Sequence, residues 1–158
     1  MTDRPHELTI EEIRERRRML QQLDDAVSYV RRVAQGRADL ARAELARRGA
    51  GGEAPLTGEL RAVLGDRLLG PSDRPPRPAD DFSDHPRSAE LDQLCAERGF
   101  GRLAELEDAA VAELAAALDV FEGEVSEERH HVFAELDDLS EELVRRYRDQ
   151  TPAGDPDP

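Results

Sequence analysis

The stretch IEEIRERRRMLQQLDDAVSYVRRVAQGRADLARAELARR, residues 10–48, decides how this chain is read. Ile13, Leu20, Val27, Ala34 and Ala41 recur every seven residues, and Leu23, Val30 and Leu45 broaden the stripe. An apolar seam with this period is built to lie against another helix. Thr9 followed by Glu12 forms a capping-box pattern at its start. Gly49, Gly51 and Gly52 stop it. At 1.5 Å per residue the predicted helix is roughly 58 Å long.

A second seam lies near the other end. Val111, Leu118, Val125, Val132 and Leu139 repeat the period of seven, with Leu114, Phe121, Leu136 and Leu143 as a second row. The spacing predicts a helix over about 108–149. Neither helix can bury its stripe alone, so the fold class expected is all-α, a long antiparallel two-helix coiled-coil hairpin within one chain. A homodimer is the competing solution. Between the two, a linker over 49–56 leads to a short amphipathic helix near 58–69, marked by Leu60, Val63, Leu64, Leu68 and Leu69. Residues 70–86 are rich in Pro and Asp and read as irregular. Ser88 is a candidate cap for another short helix at about 89–98, ended by Gly99 and Gly101. The organisation expected is a flexible lead (1–9), a single hairpin domain (10–149) with a short helical region between the long helices, and a Pro-rich tail (150–158).

Composition supports this and narrows function. Charged residues are 37% of the chain and aromatic residues 4%, which suits long helices and leaves too little for a thick core. The net charge of −14 argues against direct DNA binding, which needs a basic footprint. Residues 1–50 hold 11 Arg against 9 acids and residues 51–158 hold 11 Arg against 27 acids. The acidic half suits a basic protein partner, or only aids solubility. All basic residues are Arg, which brings a planar, bidentate, stacking cation. Cys95 is the sole cysteine, which fits a reducing cytoplasm. No signal-peptide pattern and no 18-residue apolar run is visible, so neither export nor a membrane span is expected.

Polar chemistry repeats as the seams do. Beside the first seam, Asp24, Ser28, Arg31, Gln35 and Asp39 have spacings of 4, 3, 4 and 4. At 100° per residue they fall within about 80° of one helix face. Glu122, Ser126, Arg129, Phe133 and Asp137 carry the same spacing on the last helix. If paired residue numbers sum to about 160, the predicted helices match end to end and Arg31 faces Arg129. Such rows offer Arg for a guanine edge, a base plane or a phosphate, carboxylates for guanine N–H groups, and Ser for phosphate oxygens. The competing reading is a solvated face of i,i+4 charge pairs.

The segment Asp24 to Asp39, continued by Ala43-Glu-Leu-Ala-Arg-Arg-Gly49, resembles the first motif of RsiG-type anti-sigma factors, Glu-x3-Ser-x2-Arg-x3-Gln-x3-Asp. Glu122 to Asp137, followed by Arg145-Arg-Tyr-Arg148, resembles the second. The resemblance implies two cyclic di-GMP molecules bound across both motifs as a regulatory ligand, and sequestration of a WhiG-like sigma factor. It implies that Arg31 and Arg129 contact guanines or phosphates, that Ser28 and Ser126 hydrogen-bond ligand oxygens, and that Asp39 and Asp137 read guanine edges. Asp24, Arg32 and Gln35 complete the first implied set, and Glu122 and Phe133 the second. Two positions depart from the motif. Asp24 stands where Glu is usual, and Phe133 replaces Gln, losing an amide. The Phe133 ring either stacks on a base or extends the core. If only the first motif is competent, two chains could each contribute one.

Other residues carry less. His130 and His131 point about 100° apart on a helix, a poor metal pair compared with i,i+4. Cys95, beside Leu91 and Leu94, reads as buried filler rather than a nucleophile. Tyr29 and Tyr147 read as packing at the hairpin edge. No nucleophile–base pair or metal cluster is evident, so an enzyme is not expected. The function expected is a cyclic di-GMP-binding anti-sigma factor, and the alternative a ligand-independent coiled-coil scaffold or constitutive anti-sigma protein.

Overall fold

The structure, a computed structural model, describes residues 5–51 and 82–150. The short helix expected at 58–69 lies outside the described residues. Among those described, the protein is all-α. Helix α1 spans Ile10–Gly49, α2 spans Pro86–Glu97 and α3 spans Asp108–Gln150. Single 3₁₀ segments occupy Pro5–Glu7 and Phe100–Glu105. The two long helices pack antiparallel, and each contributes a segment to two compact units, whose described residues are 5–26 with 127–150, and 27–51 with 82–126.

In the first unit, Ile13, Leu139 and Leu143 form the core, with Leu8, Ile10 and Leu20 packed against it. The start of α1 is fixed as the capping box requires. The Glu12 carboxylate accepts from the Thr9 amide at 2.6 Å, and Thr9 Oγ1 accepts from the Glu12 amide at 3.2 Å. Leu8, just before the cap, packs on the cluster that holds Ile13, four positions into the helix, which is a hydrophobic staple. Near the end of α3, Arg146 donates to the carbonyls of Pro5 and His6, both at 3.2 Å.

In the second unit, Ala41, Val111 and Ala115 form a core joined by Leu45, Leu103 and Leu106. Arg48, near the end of α1, donates to the carbonyls of Leu106, Leu103 and Ala104 at 2.7, 3.0 and 3.3 Å. Helix α2 begins at Pro86, three residues before the expected start. Pro at the first helical position has no amide to leave unpaired. His85 caps it instead of Ser88, its ring nitrogen accepting from the Arg87 amide. Ser88 lies inside the helix and donates to the Phe82 carbonyl at 2.7 Å. Leu91 and Cys95 are buried, and Arg37 reaches across to Asp92 at 2.7 Å and Cys95 Sγ at 3.3 Å. Gly99 then turns the chain at φ 74°, and a Cβ there would stand 3.1 Å from Leu106.

The register differs from the expected sum of about 160. Ile13 clusters with Leu139 and Leu143 in one unit, and Ala41 with Val111 and Ala115 in the other. Both are displaced from that sum by roughly one to two helical turns. The reason is visible at the helix ends. Each 3₁₀ segment lies beside the last turns of a long helix, tied there by Arg146 or Arg48. The helices therefore cannot match end to end.

Candidate functional site

The rows are positioned by the seams beside them. Val27, Val30 and Ala34 are fully buried, as is Val125, and Val132 nearly so. Those residues fix the rotation of each helix and leave the neighbouring polar positions half-buried or exposed.

In the second unit the centre of the site is one carboxylate oxygen. Glu122 Oε1 accepts from Gln35 Nε2 at 2.8 Å, Ser126 Oγ at 3.0 Å and Arg31 Nη1 at 3.2 Å. Members of both rows thus meet. Arg31 Nε is buried with no hydrogen-bond partner among the described residues. A buried donor left unpaired costs about 1–3 kcal/mol, so an arrangement that supplied an acceptor would be favoured. Ser28 is half-buried and Arg32 exposed. Asp39 pairs with Arg42 at 3.2 Å, and Arg42 also grips Asp119.

In the first unit the matching residues repeat the crossing. Arg129 Nε donates to Asp24 Oδ1 at 3.2 Å. In both units the Arg of one row therefore holds the first carboxylate of the other. Phe133 occupies the position matching Gln35, and its ring stands beneath Arg129, with 4.6 Å from Cζ to the ring centroid. Asp137 is exposed and makes no hydrogen bond or ion pair among the described residues.

Each of these arginines thus holds a carboxylate within its own unit. The side chains of both pairs remain a fifth to a third exposed. Ion pairs so placed are worth only about 0–1 kcal/mol, so a ligand phosphate or base edge can displace them.

A second repeated cluster was not singled out from the sequence. Glu44 accepts from Arg47 and Arg48, and Glu142 from Arg145 and Arg146. Hydrogen bonds from the two arginines hold both carboxyls at about 2, well below the usual carboxylate range. Burial opposes this in each case but is the weaker influence. The offset relating Glu44 to Glu142 also relates Asp24 to Glu122, and that shared offset was the available signal.

An open apolar groove of about 590 Å³ lies in the first unit, lined by Leu8, Met19, Leu20 and Leu23 among others, and no row residue borders it. Among the described residues no group of three or more His, Cys, Asp or Glu could hold a metal ion. None of the described helices is long and apolar enough to cross a membrane.

The RsiG-like family model matches residues 2–64. This segment of the chain is RsiG-like. The match covers α1, the whole first row and the Glu44 cluster, and supports the RsiG-type anti-sigma resemblance drawn from Asp24 to Gly49. The second row lies beyond it. No curated protein matches the chain.

Proposed function

We propose that the chain is an anti-sigma factor that binds cyclic di-GMP through the two polar rows and, so loaded, sequesters a WhiG-like sigma factor in the cytoplasm. The observation that carries this reading is the Arg31–Gln35–Glu122–Ser126 cluster, built on a helix that matches the RsiG-like family. Its arginine, hydroxyl and amide suit an anionic ligand with hydrogen-bonding bases. Arg32, exposed next to Arg31, adds a second cation for a phosphate.

The switch is thermodynamic linkage. Cyclic di-GMP favours the sigma-bound state by its higher affinity for that state, and sigma favours ligand binding by the same factor. The acidic surplus of the chain speeds encounter with a basic partner.

The second reading, a constitutive anti-sigma protein, draws on a specific observation: Arg31 and Arg129 each pair with a carboxylate of the chain itself. Capture of a WhiG-like sigma factor by the immobilised protein, with and without cyclic di-GMP, separates the two. The ligand-gated reading predicts capture that rises with the dinucleotide. Equal capture in both conditions favours the constitutive one. Ligand bound at two molecules per particle, with the particle's mass measured as that of two chains, would indicate a homodimer.

A further inference from the structure

We propose that Asp24 and Phe133 act together as positioning residues for Arg129, a matched pair that takes the place of the Glu122–Gln35 pair serving Arg31. This inference rests on the cyclic di-GMP reading above. Arg31 and Arg129 stand at matching positions of the two rows, so the Arg31 cluster supplies the comparison. There Glu122 Oε1 accepts from Arg31 Nη1 at 3.2 Å, and Gln35, one turn along α1 from Arg31, donates to the same oxygen at 2.8 Å. The long carboxylate reaches the tip of the guanidinium, and the amide fixes the carboxylate.

In the first unit both of those positions change, and both changes meet on Arg129. Asp24 matches Glu122, and Phe133 matches Gln35. Asp24 is one methylene shorter, and it accepts from Nε, the nitrogen nearest the stem, at 3.2 Å. Phe133 has no amide with which to fix a carboxylate. Its ring instead backs one face of the guanidinium, 4.6 Å from Cζ to centroid. A guanidinium held at Nε and backed by a ring has its plane fixed. Nη1 and Nη2 of Arg129 make no hydrogen bond among the described residues. Those two nitrogens form a fork for paired acceptors, such as phosphate oxygens or the O6–N7 edge of guanine.

Either change alone breaks this arrangement. A glutamate at position 24 reaches an Nη, as Glu122 does on Arg31, so it occupies the fork and draws the guanidinium off the ring. A glutamine at position 133 removes the ring, and its amide meets a carboxylate that is too short and already engaged at Nε. The two changes made together rebuild the chemistry found around Arg31.

The test is a double-mutant cycle. Cyclic di-GMP is titrated into the full chain, alone and with a WhiG-like sigma factor, for wild type, Asp24→Glu, Phe133→Gln and the double variant. Each single change is expected to weaken binding by about fivefold, the order expected for losing one ring–cation contact. The double variant is expected to bind within about twofold of wild type, whereas independent contributions would weaken it by about 25-fold. A second readout needs no ligand. The Arg129 Nε–H resonance, identified by its absence from Arg129→Lys, should shift in both single variants as the ring and guanidinium part. Helical content by circular dichroism shows that each variant is folded. If the single variants bind as wild type does, if the double variant loses the product of the two single losses, or if Phe133→Gln leaves the resonance unmoved, the matched pair is overturned while the cyclic di-GMP reading survives. If wild type binds no cyclic di-GMP in either setting, that underlying reading fails and this inference with it.

Discussion

Arg31 and Glu122, 91 positions apart in the chain, meet at 3.2 Å on an oxygen that also accepts from Gln35 and Ser126. One carboxylate thereby organises three donors, the groups that the proposed function assigns to a cyclic dinucleotide. Replacing it tests whether this organisation is structural as well as functional. Glu122→Ala should leave the chain helical but less stable by about 1–2 kcal/mol, because three part-buried donors lose their acceptor. Chemical denaturation followed by circular dichroism measures this; a stability equal to wild type would mean the cluster contributes nothing to folding.

Glu44 and Glu142 give the protein a defined acid sensitivity. Both carboxyls sit at about 2 in the folded chain, against an ordinary value of 4.5. A depressed carboxylate stabilises the fold fully above its unfolded value and loses that contribution as pH falls through the folded one. The contribution of both clusters is therefore present above pH 4.5 and lost between 4.5 and about 2. Thermal melts of wild type and the Glu44→Gln/Glu142→Gln double variant should differ at neutral pH and converge as pH approaches about 2. A constant difference across that window would contradict the assignment.

Gly123 sits exposed inside α3, and a Cβ added there would meet nothing within 4 Å. Glycine in a helix interior costs about 1 kcal/mol relative to alanine. Gly123→Ala should raise stability by about that amount and the melting temperature by about 2–4 °C. A lowered melting temperature would show that α3 is not an uninterrupted helix there.

The seams predict a sharp contrast along α3. Leu139 is 1% exposed and Val120 is 64% exposed. Leu139→Ala should cost about 2–5 kcal/mol, and Val120→Ala should stay within about 0.5 kcal/mol. Denaturant midpoints distinguish them, and similar losses at both positions would mean that Val120 is covered in solution.

Much of this was legible in the sequence because it depends on period. Ile13, Val27, Val111 and Leu118 are fully buried as their spacing implied, and Thr9 and Glu12 form the capping box their spacing announced. The polar rows were legible for the same reason. Their pairing was not. Which carboxylate an arginine reaches depends on a register shift of roughly one to two turns, and that shift is set by the 3₁₀ segments beside the helix ends, whose anchoring by Arg48 and Arg146 involves backbone carbonyls. Carbonyls have no sequence signature. His85 took the cap assigned to Ser88 for a similar reason, since Pro86 supplied the first helical residue and Ser88 was drawn to Phe82. The stacking of Phe133 on Arg129 adds what the motif position alone left open.

The most direct measurement is an isothermal titration of cyclic di-GMP into the full chain and into Arg31→Ala, each alone and with a WhiG-like sigma factor. The account predicts saturable binding to the wild-type protein, and loss of that binding in Arg31→Ala with helical content unchanged. Identical isotherms for the two proteins, whether both saturate or both stay flat, would contradict it.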